Sequence, residues 1–288
     1  MHTNTTTALG VAISACLVAS VAVAAVPSEG TLIAHRGESV DAPENTVPAY
    51  RTAVERGFGF ECDIYLSKDG RVYTFHDKNL KRTTNGANTN ACGDVTWDEL
   101  SKLDVGSWGK WKGSKFAGTR PALLEEVLEL AKDGRYIYIE VKPGPEIVPY
   151  IKDVYAKQRN ATPRNTLFIS FNEDTCAALK AAMPEYKVYW LTGSRKKGEA
   201  ITPRHIVKTL RRIGADGVDC HFAPDIVTAA FISEVKKAGF EFHAWTINDF
   251  AQTLFAFDRG ADTVTTDCAK AQLDAWNMAR KLVAKDRK

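Results

Sequence analysis

The feature that most constrains this chain is a regular alternation of short apolar runs and amphipathic stretches after residue 30. Stretches such as Glu173–Ala182 and Pro203–Ile213 have helical periodicity, whereas the runs between them are rich in β-branched and aromatic residues. Eight runs predict strands: Leu32–Ala34, Phe58–Asp63, Tyr136–Val141, Thr166–Phe171, Lys187–Leu191, Gly217–Cys220, Glu241–Thr246 and Thr263–Thr266. Eight strands, each followed by a helix, close a (β/α)8 TIM barrel. An open doubly wound sheet is the weaker alternative, because no Gly-rich dinucleotide loop follows any predicted strand.

One segment, about residues 64–121, interrupts the alternation after the second predicted strand. It begins with a predicted hairpin that pairs Tyr65–Leu66 with Val72–Phe75 across Asp69-Gly70, a strong turn signal. The remainder is polar and contains tryptophan. Loops in this position build the active-site face of a barrel. We therefore interpret the segment as a lid or substrate-binding insertion within one domain, residues 27–288.

Residues 1–26 predict a signal peptide and hence a secreted or periplasmic protein. The stretch Ala8–Val26 is apolar and rich in small residues, and Ala22-Val23-Ala24 fits a signal peptidase site. Lipoprotein processing at Cys16 is a less favoured alternative, because the apolar run continues past Cys16. A retained N-terminal anchor is a further alternative, and apart from it we expect no stable membrane association.

Charge and cysteine content exclude several classes. The formal net charge is only +3, and no dense block of lysine and arginine is present, so nucleic acid is not an expected partner. The cysteines after the signal are widely spaced and form no C-x-x-C pair, so neither a zinc site nor a disulfide framework is indicated. We expect most of them to be small buried side chains: Cys62, Cys92, Cys176, Cys220 and Cys268.

Polar residues recur where the predicted strands end. His35 and Arg36 follow the first strand, and Glu61 and Asp63 close the second. The third strand ends in the same way, with Glu140 and Lys142. Because residues i and i+2 of a strand face the same side, each of the latter two pairs points in one direction. The sequence therefore predicts a polar site at the carboxyl end of the barrel.

The residue types at these positions suggest phosphoryl chemistry. Three converging carboxylates would repel one another without a cation, and hard oxygen ligands favour Mg²⁺ or Ca²⁺. Imidazoles at His35 and His76 can serve as general base and general acid near neutral pH. Arg36 and Lys142 add positive charge suited to a phosphate. No phosphate-binding G-x-x-x-x-G-K-[ST] loop is present, which disfavours a nucleoside triphosphatase.

The ordered motifs resemble those of the glycerophosphodiester phosphodiesterase family and cover nearly all of residues 31–270. The matching segments are His35-Arg36-Gly37, Pro43-Glu44-Asn45-Thr46, Glu61-x-Asp63, His76-Asp77, Arg82-Thr83-Thr84-Asn85-Gly86, Glu140-Val141-Lys142, Ser170-Phe171, Trp245-Thr246-Ile247-Asn248, Gly260-Ala261-Asp262 and Thr266-Asp267. The resemblance implies a (β/α)8 barrel with a small insertion after strand two and a divalent cation. It also implies hydrolysis of glycerophosphodiesters, as small-molecule substrates, to sn-glycerol 3-phosphate and an alcohol.

The resemblance also implies residue roles. His35 and His76 would form the catalytic acid–base pair, and Arg36 and Lys142 would bind phosphate. The implied metal ligands are Glu61, Asp63 and Glu140. Glu44 would support either the metal or the orientation of His35 or Arg36, and Trp245 would be either a substrate wall or barrel packing. An imidazole at His221 departs from the family pattern. Apart from the resemblance, His221 and His243 are interpreted either as residues that tune substrate choice or as satisfied polar groups.

Two other functions share parts of this pattern. A phospholipase D-like or phosphoinositide-type lyase acting on (lyso)phospholipids would use the same histidines and carboxylates. A non-catalytic barrel that binds phosphate ligands would be expected to lack one histidine or one ligand carboxylate, and none is lacking. Fold alone does not separate these functions.

Overall fold

The protein is a closed barrel of eight parallel strands in a computed structural model that describes residues 31–286. The barrel strands are β1 (Leu32–Ala34), β2 (Gly59–Leu66), β4 (Ile137–Val141), β5 (Thr166–Ser170), β6 (Lys187–Thr192), β9 (Gly217–His221), β10 (Glu241–Trp245) and β11 (Thr263–Thr266). Parallel pairing of β1 with both β2 and β11 closes the ring. All eight predicted strands are confirmed, and so is the predicted TIM barrel. The predicted signal peptide and Cys16 lie outside the described residues.

Helices follow the strands and cover the outside of the barrel. They are α1 (Val47–Glu55), α3 (Leu124–Leu128), α4 (Val148–Tyr155), α5 (Glu173–Ala182), α6 (Pro203–Ile213), α7 (Ala229–Lys237), α8 (Phe250–Asp258) and α9 (Ala269–Asp286), and α2 (Trp97–Leu100) lies in the insertion. Thr202, Thr228 and Asp249 cap the N-termini of α6, α7 and α8 through their side chains. Among residues 31–286, no helix combines the length and apolar character that crossing a bilayer requires.

Alternation along each strand separates two environments. Cys62 packs in the apolar layer between barrel and helices, whereas its neighbours Glu61 and Asp63 belong to the site at the barrel mouth. The described cysteines are free thiols, and only Cys268 among them is more than marginally exposed. Most of the described cysteines are therefore buried side chains, as the sequence predicts.

The insertion is built on a continuation of β2. Phe58–Asp63 and Tyr65–Leu66, predicted as separate runs, form one strand whose end pairs antiparallel with β3 (Val72–Thr74). Beyond this hairpin a second apolar cluster, which includes Tyr73, Leu80 and Leu100, gives the insertion its own small core. The predicted hairpin is thus confirmed, and it returns the chain to the barrel mouth.

A polar layer lies inside the barrel below the mouth. His243 is 3 % exposed, its Nδ1 lies 3.0 Å from the Tyr138 hydroxyl and 2.6 Å from Thr263 Oγ1, and its ring stacks on Tyr189 at 4.2 Å. Of the two roles left open for His243, these contacts favour a buried polar group over a substrate contact, because its Nδ1 is held by Tyr138 and Thr263 and His243 does not line the cavity at the barrel mouth. A short ribbon of β7 (Arg195–Lys196) and β8 (Glu199–Ala200) projects from the barrel and is exposed, as the charge of that segment indicates.

Candidate active site

The loop from β1 to α1 places the first site residues in a backbone that few residues adopt. Arg36 has φ 57° and Gly37 has φ 78°, both in the left-handed region. Gly37 packs so closely that a Cβ there would lie 2.6 Å from the carbonyl carbon of Ala49 in α1. Its amide donates to the Glu61 carbonyl at 3.2 Å. The glycine thus joins the His35-Arg36 turn to both α1 and β2.

Three carboxylates, hereafter the acidic trio (Glu61, Asp63 and Glu140), converge at the carboxyl end of β2 and β4. Parallel pairing sets Asp63 beside Glu140, and one oxygen from each of the three lies within 4.8 Å of the others. Glu61 is 2 % exposed and Asp63 is fully buried. The strand ends therefore meet as their spacing predicts.

Asn45 fixes Asp63, and sequence analysis did not assign it this role. Its side-chain amide donates to Asp63 Oδ2 at 2.7 Å, and its Oδ1 accepts from the Asp63 amide at 3.0 Å and from the Tyr50 hydroxyl at 2.8 Å. Asn45 itself adopts φ 56°, which asparagine tolerates better than most residues. Its place next to Glu44 in a matched motif was the available signal.

Burial and mutual repulsion perturb the acidic trio. Burial, with repulsion from Asp63 and Glu140, raises the pKa of Glu61 well above its usual range. Burial and the charge of Asp63 raise the pKa of Glu140 to about 8. Burial would also raise the pKa of Asp63, but Lys142 and Arg36 hold it well below the usual value. The trio therefore stabilises additional positive charge.

The acidic trio fits a hard divalent cation. All its donors are carboxylate oxygens, the set that Mg²⁺ and Ca²⁺ prefer. Glu61 Oε1 is buried and has no hydrogen-bond partner, so one ligand oxygen is available inside the cluster. Its other oxygen, Oε2, accepts from the Arg36 amide at 2.9 Å, which orients the carboxylate. The trio is the set of residues that could hold the metal.

Two cationic side chains border the acidic trio. Lys142 Nζ lies 3.1 Å from Asp63 Oδ1 and 2.9 Å from Glu140 Oε1. Arg36 Nε lies 3.5 Å from Asp63 Oδ2, and its Nη1 donates to Glu44 at 3.0 Å. Although burial opposes it, Asp63 and Glu140 hold the pKa of Lys142 above its usual value. Both side chains are fixed cations beside the site, as a phosphate would require.

Each of the two predicted catalytic histidines is paired with an aspartate. His35 Nδ1 lies 2.6 Å from Asp267 Oδ1, at the end of β11, and its Nε2 lies 3.9 Å from Glu61 Oε2. His76 Nδ1 lies 2.8 Å from Asp77 Oδ1. Burial, with the charges of Arg36 and Lys142, lowers the pKa of His76, although Asp63 opposes the shift. In both pairs the carboxylate holds Nδ1, which leaves Nε2 as the free nitrogen.

Arg82 links the two sides of the site. It donates to both oxygens of Asp77, at 2.7 and 2.9 Å, and to both oxygens of Glu44, at 3.0 and 2.7 Å. Glu44 in turn accepts from Arg36. Arg82 holds the pKa of Asp77 at about 2. Of the roles open to Glu44, the contacts support orientation of Arg36 rather than a place in the acidic trio.

Six of these residues line one cavity of about 270 Å³ at the barrel mouth. Its polar wall includes His35, Arg36, His76 and Lys142, with Glu61 and Glu140 from the acidic trio. The opposite wall contains Ile169, Phe171, Leu191, Asp219 and Trp245. Trp245 packs edge-on against Phe171 at 5.6 Å, and its indole donates to the Asp219 carbonyl at 3.0 Å. Trp245 therefore forms a cavity wall. Exposed His221 packs edge-on against Trp245 at 5.5 Å and is not among the residues that line the cavity.

The fold and the site define a class of protein: a (β/α)8-barrel phosphodiesterase in which a cluster of carboxylates suited to a cation lies beside two imidazoles. Comparison with known proteins agrees. The family model described as "Glycerophosphoryl diester phosphodiesterase family" matches residues 35–271. A glycerophosphodiester phosphodiesterase of Caldanaerobacter subterraneus is 31% identical over 240 residues, covering 82% of this chain and 93% of that protein. Human glycerophosphoinositol inositolphosphodiesterase is 32% identical over 187 residues, which are 58% of this chain and 32% of that protein.

A solved structure gives the same result. The Oleispira antarctica phosphodiesterase in complex with the product sn-glycerol-3-phosphate superposes with a TM-score of 0.73 at 27% identity, covering 86% of this chain and 96% of that one. The family model spans well over half of the chain. The protein therefore belongs to the glycerophosphoryl diester phosphodiesterase family, as the motif resemblance predicts, and it is an enzyme of the phosphoric diester hydrolase class.

Proposed function

We propose that the protein hydrolyses glycerophosphodiesters to sn-glycerol 3-phosphate and an alcohol, with a divalent cation, Mg²⁺ or Ca²⁺, held by the acidic trio. The observation that carries the proposal is the single cavity that joins two of the trio's carboxylates, both predicted catalytic histidines and two fixed cations. The product-bound Oleispira antarctica relative supports the substrate class. The site thus provides anion binding and proton transfer in one place.

In the mechanism that we propose, the phosphate lies against Arg36 and Lys142, which stabilise the charge that grows on its oxygens. Glu61, Asp63 and Glu140 would hold the divalent cation, which would supply Lewis-acid chemistry at the phosphoryl group. One of His35 and His76 accepts the proton of the attacking oxygen as the new phosphorus–oxygen bond forms. The other donates a proton to the departing alcohol as the old bond breaks. Asp267 and Asp77 keep each Nε2 free for these transfers.

The attacking oxygen belongs either to water or to the glycerol 2-hydroxyl, which would give a cyclic phosphate first. Rapid-quench sampling with phosphorus NMR separates the two routes. A cyclic phosphate that forms and then decays supports the intramolecular route, and its absence at every time point supports direct attack by water.

Turnover assays test the proposed function. The substrates are glycerophosphocholine, glycerophosphoethanolamine and a lysophospholipid, each with Mg²⁺, Ca²⁺ or a chelator. We expect the first two to yield sn-glycerol 3-phosphate only when a divalent cation is present. His35→Ala should lower kcat by about 10²–10⁴-fold. Faster cleavage of the lysophospholipid would favour the lipid-directed alternative, and full turnover by the histidine variant would favour a non-catalytic binding barrel.

On the sequence pattern of residues 1–26 we also propose export with removal of this segment. Mass spectrometry of the protein recovered from cells would show the mature N-terminus. A start shortly after Ala24 supports signal peptidase, a lipid-modified Cys16 supports the lipoprotein alternative, and an intact Met1 in the membrane fraction supports an anchor.

A further inference from the structure

Asp219 is a buried carboxylate that the proposed mechanism does not use. It is 1 % exposed, lies in β9 and lines the cavity. Its Oδ1 is buried without a hydrogen-bond partner, and no side-chain hydrogen bond of Asp219 to residues 31–286 is present. A buried carboxylate without a hydrogen-bond partner lowers the free energy of unfolding, whereas a leucine of similar size in the same place would not. Asp219 is therefore available to accept a hydrogen bond from a molecule in the cavity.

The topology places Asp219 across the barrel from the acidic trio. Around the closed ring β9 lies four strands from β2 in either direction, so it is the strand diametrically opposite Glu61 and Asp63. On the β6 side its register partner is Leu191, and Ile169 lies one strand further, so this part of the cavity wall is apolar. On the β10 side its register partner is buried His243, whose Nδ1 contacts Tyr138 and Thr263 and which does not line the cavity. Asp219 is thus the one carboxylate on an otherwise apolar wall of the described cavity.

The depth of Asp219 in the cavity decides which end of the substrate can reach its carboxylate. Two residues lie nearer the opening of the cavity: His221, at the end of β9, and Phe171, which is 50% exposed. Asp219 is one inward-facing position deeper in β9 than His221. A departing alcohol of variable size requires the open side. The ionised phosphate is an acceptor that Asp219 would repel, and it is matched by Arg36 and Lys142 on the opposite wall. The hydroxyl-bearing end of glycerol is small, donates hydrogen bonds and fits the closed end.

We propose that Asp219 is the specificity residue for the glycerol end of the substrate and accepts a hydrogen bond from its terminal hydroxyl. The proposal rests on the proposed function, because it assumes that a glycerophosphodiester occupies the cavity. Trp245 and Ile169 would contact the carbon skeleton on either side. Burial, which raises the pKa of Asp219 to about 7, is consistent with a carboxyl that lacks a partner until a donor arrives.

The test compares glycerophosphocholine with its 1-deoxy analogue, the phosphocholine diester of propane-1,2-diol. This analogue lacks only the terminal hydroxyl and keeps the 2-hydroxyl, so either nucleophile remains available. Because Asp219 would otherwise be left unpaired, the wild-type enzyme should favour glycerol by about 10–100-fold in kcat/KM. In Asp219→Leu the ratio of kcat/KM for glycerophosphocholine to kcat/KM for the analogue should fall to about 1, because only activity on glycerophosphocholine is lost. Asp219→Asn should give an intermediate ratio.

Cys220→Ala is the matched control, because Cys220 follows Asp219 in β9 but packs in the layer between barrel and helices. It should keep the wild-type ratio even if it lowers stability. Equal losses on both substrates in Asp219→Leu would show a structural role, and an unchanged ratio would show no role. A change in preference between choline and ethanolamine diesters instead would assign Asp219 to the head group. Each of these results overturns the inference.

Failure of the underlying function gives a different result. If the wild-type enzyme with Mg²⁺ or Ca²⁺ cleaves neither diester, the proposed function fails and the inference fails with it. Calorimetry provides an independent readout, since Asp219→Leu should weaken binding of sn-glycerol 3-phosphate by about 10–100-fold while leaving inorganic phosphate within about 2-fold. Equal weakening of both ligands would overturn the inference even if turnover is intact.

Discussion

Two aspartate–histidine pairs show how single side chains orient the groups to which we assign proton transfer. Asp267 and Asp77 hold Nδ1 of His35 and His76, at 2.6 and 2.8 Å. Asp267 is itself fixed, since the Asn248 amide donates to its Oδ2 at 2.6 Å. An orienting carboxylate of this kind sets both the tautomer and the direction of the ring. We therefore regard both aspartates as positioning residues.

Asp267→Asn should lower kcat by about 10²–10³-fold with little change in KM, because an amide in this place can favour the wrong tautomer of His35. Steady-state kinetics on glycerophosphocholine, with the pH profile of kcat, provides the measurement. Asp249→Asn is the control, since Asp249 only caps α8 and asparagine caps equally well. A rise in KM at constant kcat would contradict the positioning role.

Asp219 should also make stability depend on pH. Its pKa is raised to about 7 in the folded protein, against about 4 when unfolded. Below pH 4 the carboxyl is protonated in both states, and as pH rises towards 7 ionisation increasingly favours the unfolded chain. Asp219→Asn should therefore stabilise the protein by an amount that grows by about 2–3 kcal/mol between pH 5 and pH 8. Urea unfolding at both pH values measures this, and a pH-independent difference would contradict it.

The sequence identifies the residues that carry the proposed chemistry better than those that support them. His35, His76 and the acidic trio stand at strand ends, where period-two alternation fixes their direction. Asp267 lies 232 residues from His35, and no local pattern joins the two. Asp219 has the same appearance as any polar residue in a strand, because burial and the lack of a partner are properties of the fold. Asn45, Asp77 and Asp267 lie within matched motifs, but their roles depend on tertiary contacts.

At the scale of elements, the β1–α1 turn depends on Gly37. Gly37→Ala should cost about 2–4 kcal/mol, because it adds a side chain at φ 78° and drives a Cβ into the backbone of α1. The displaced turn should also lower kcat/KM, since it carries His35 and Arg36. Chemical denaturation and turnover test the two effects separately.

Gly86 provides a matched control for this prediction. It has the same φ, 78°, but an added Cβ would meet nothing within 4 Å. Gly86→Ala should therefore cost only the backbone strain, about 1–2 kcal/mol. Equal costs at the two positions would show that contact with α1 does not contribute.

The buried strands of the barrel are predicted more accurately than the insertion and the exposed ribbon. β1 and β11 have their predicted bounds, because short β-branched runs begin and end where polar or turn residues interrupt them. β2 continues three residues beyond Asp63, since the insertion hairpin grows from the same strand. The ribbon of β7 and β8 is only two residues on each side and exposed, so no apolar pattern marks it. Exposed elements leave the weakest trace in a sequence.

At the scale of the whole molecule, the acidic trio should couple cation binding to folding. A chelator should abolish turnover, and Mg²⁺ or Ca²⁺ should restore it and raise the Tm. A free cation concentration of 100 times the Kd corresponds to about 2.7 kcal/mol of added stability. Glu61→Gln should remove most of the cation-dependent rise in Tm, measured by differential scanning calorimetry.

Glu38→Gln is the control for cation binding. Glu38 is also buried but pairs with Arg56 at 2.9 Å, away from the acidic trio. It should keep the full cation-dependent rise in Tm even if its own stability is lower. A similar loss of the rise in both variants would show that the cation binds outside the trio.

The contact between His35 and Asp267 crosses the seam of the barrel, where β11 meets β1. His35, a proposed proton-transfer residue, is therefore oriented by an aspartate near the end of the matched domain, a part of the chain that is synthesised late. A chain still emerging from the ribosome, or one clipped before residue 267, lacks the aspartate that holds His35, so we expect it to lose at least as much activity as Asp267→Asn. We therefore expect this enzyme to become active only late in synthesis, when β11, the last strand, pairs with β1, the first.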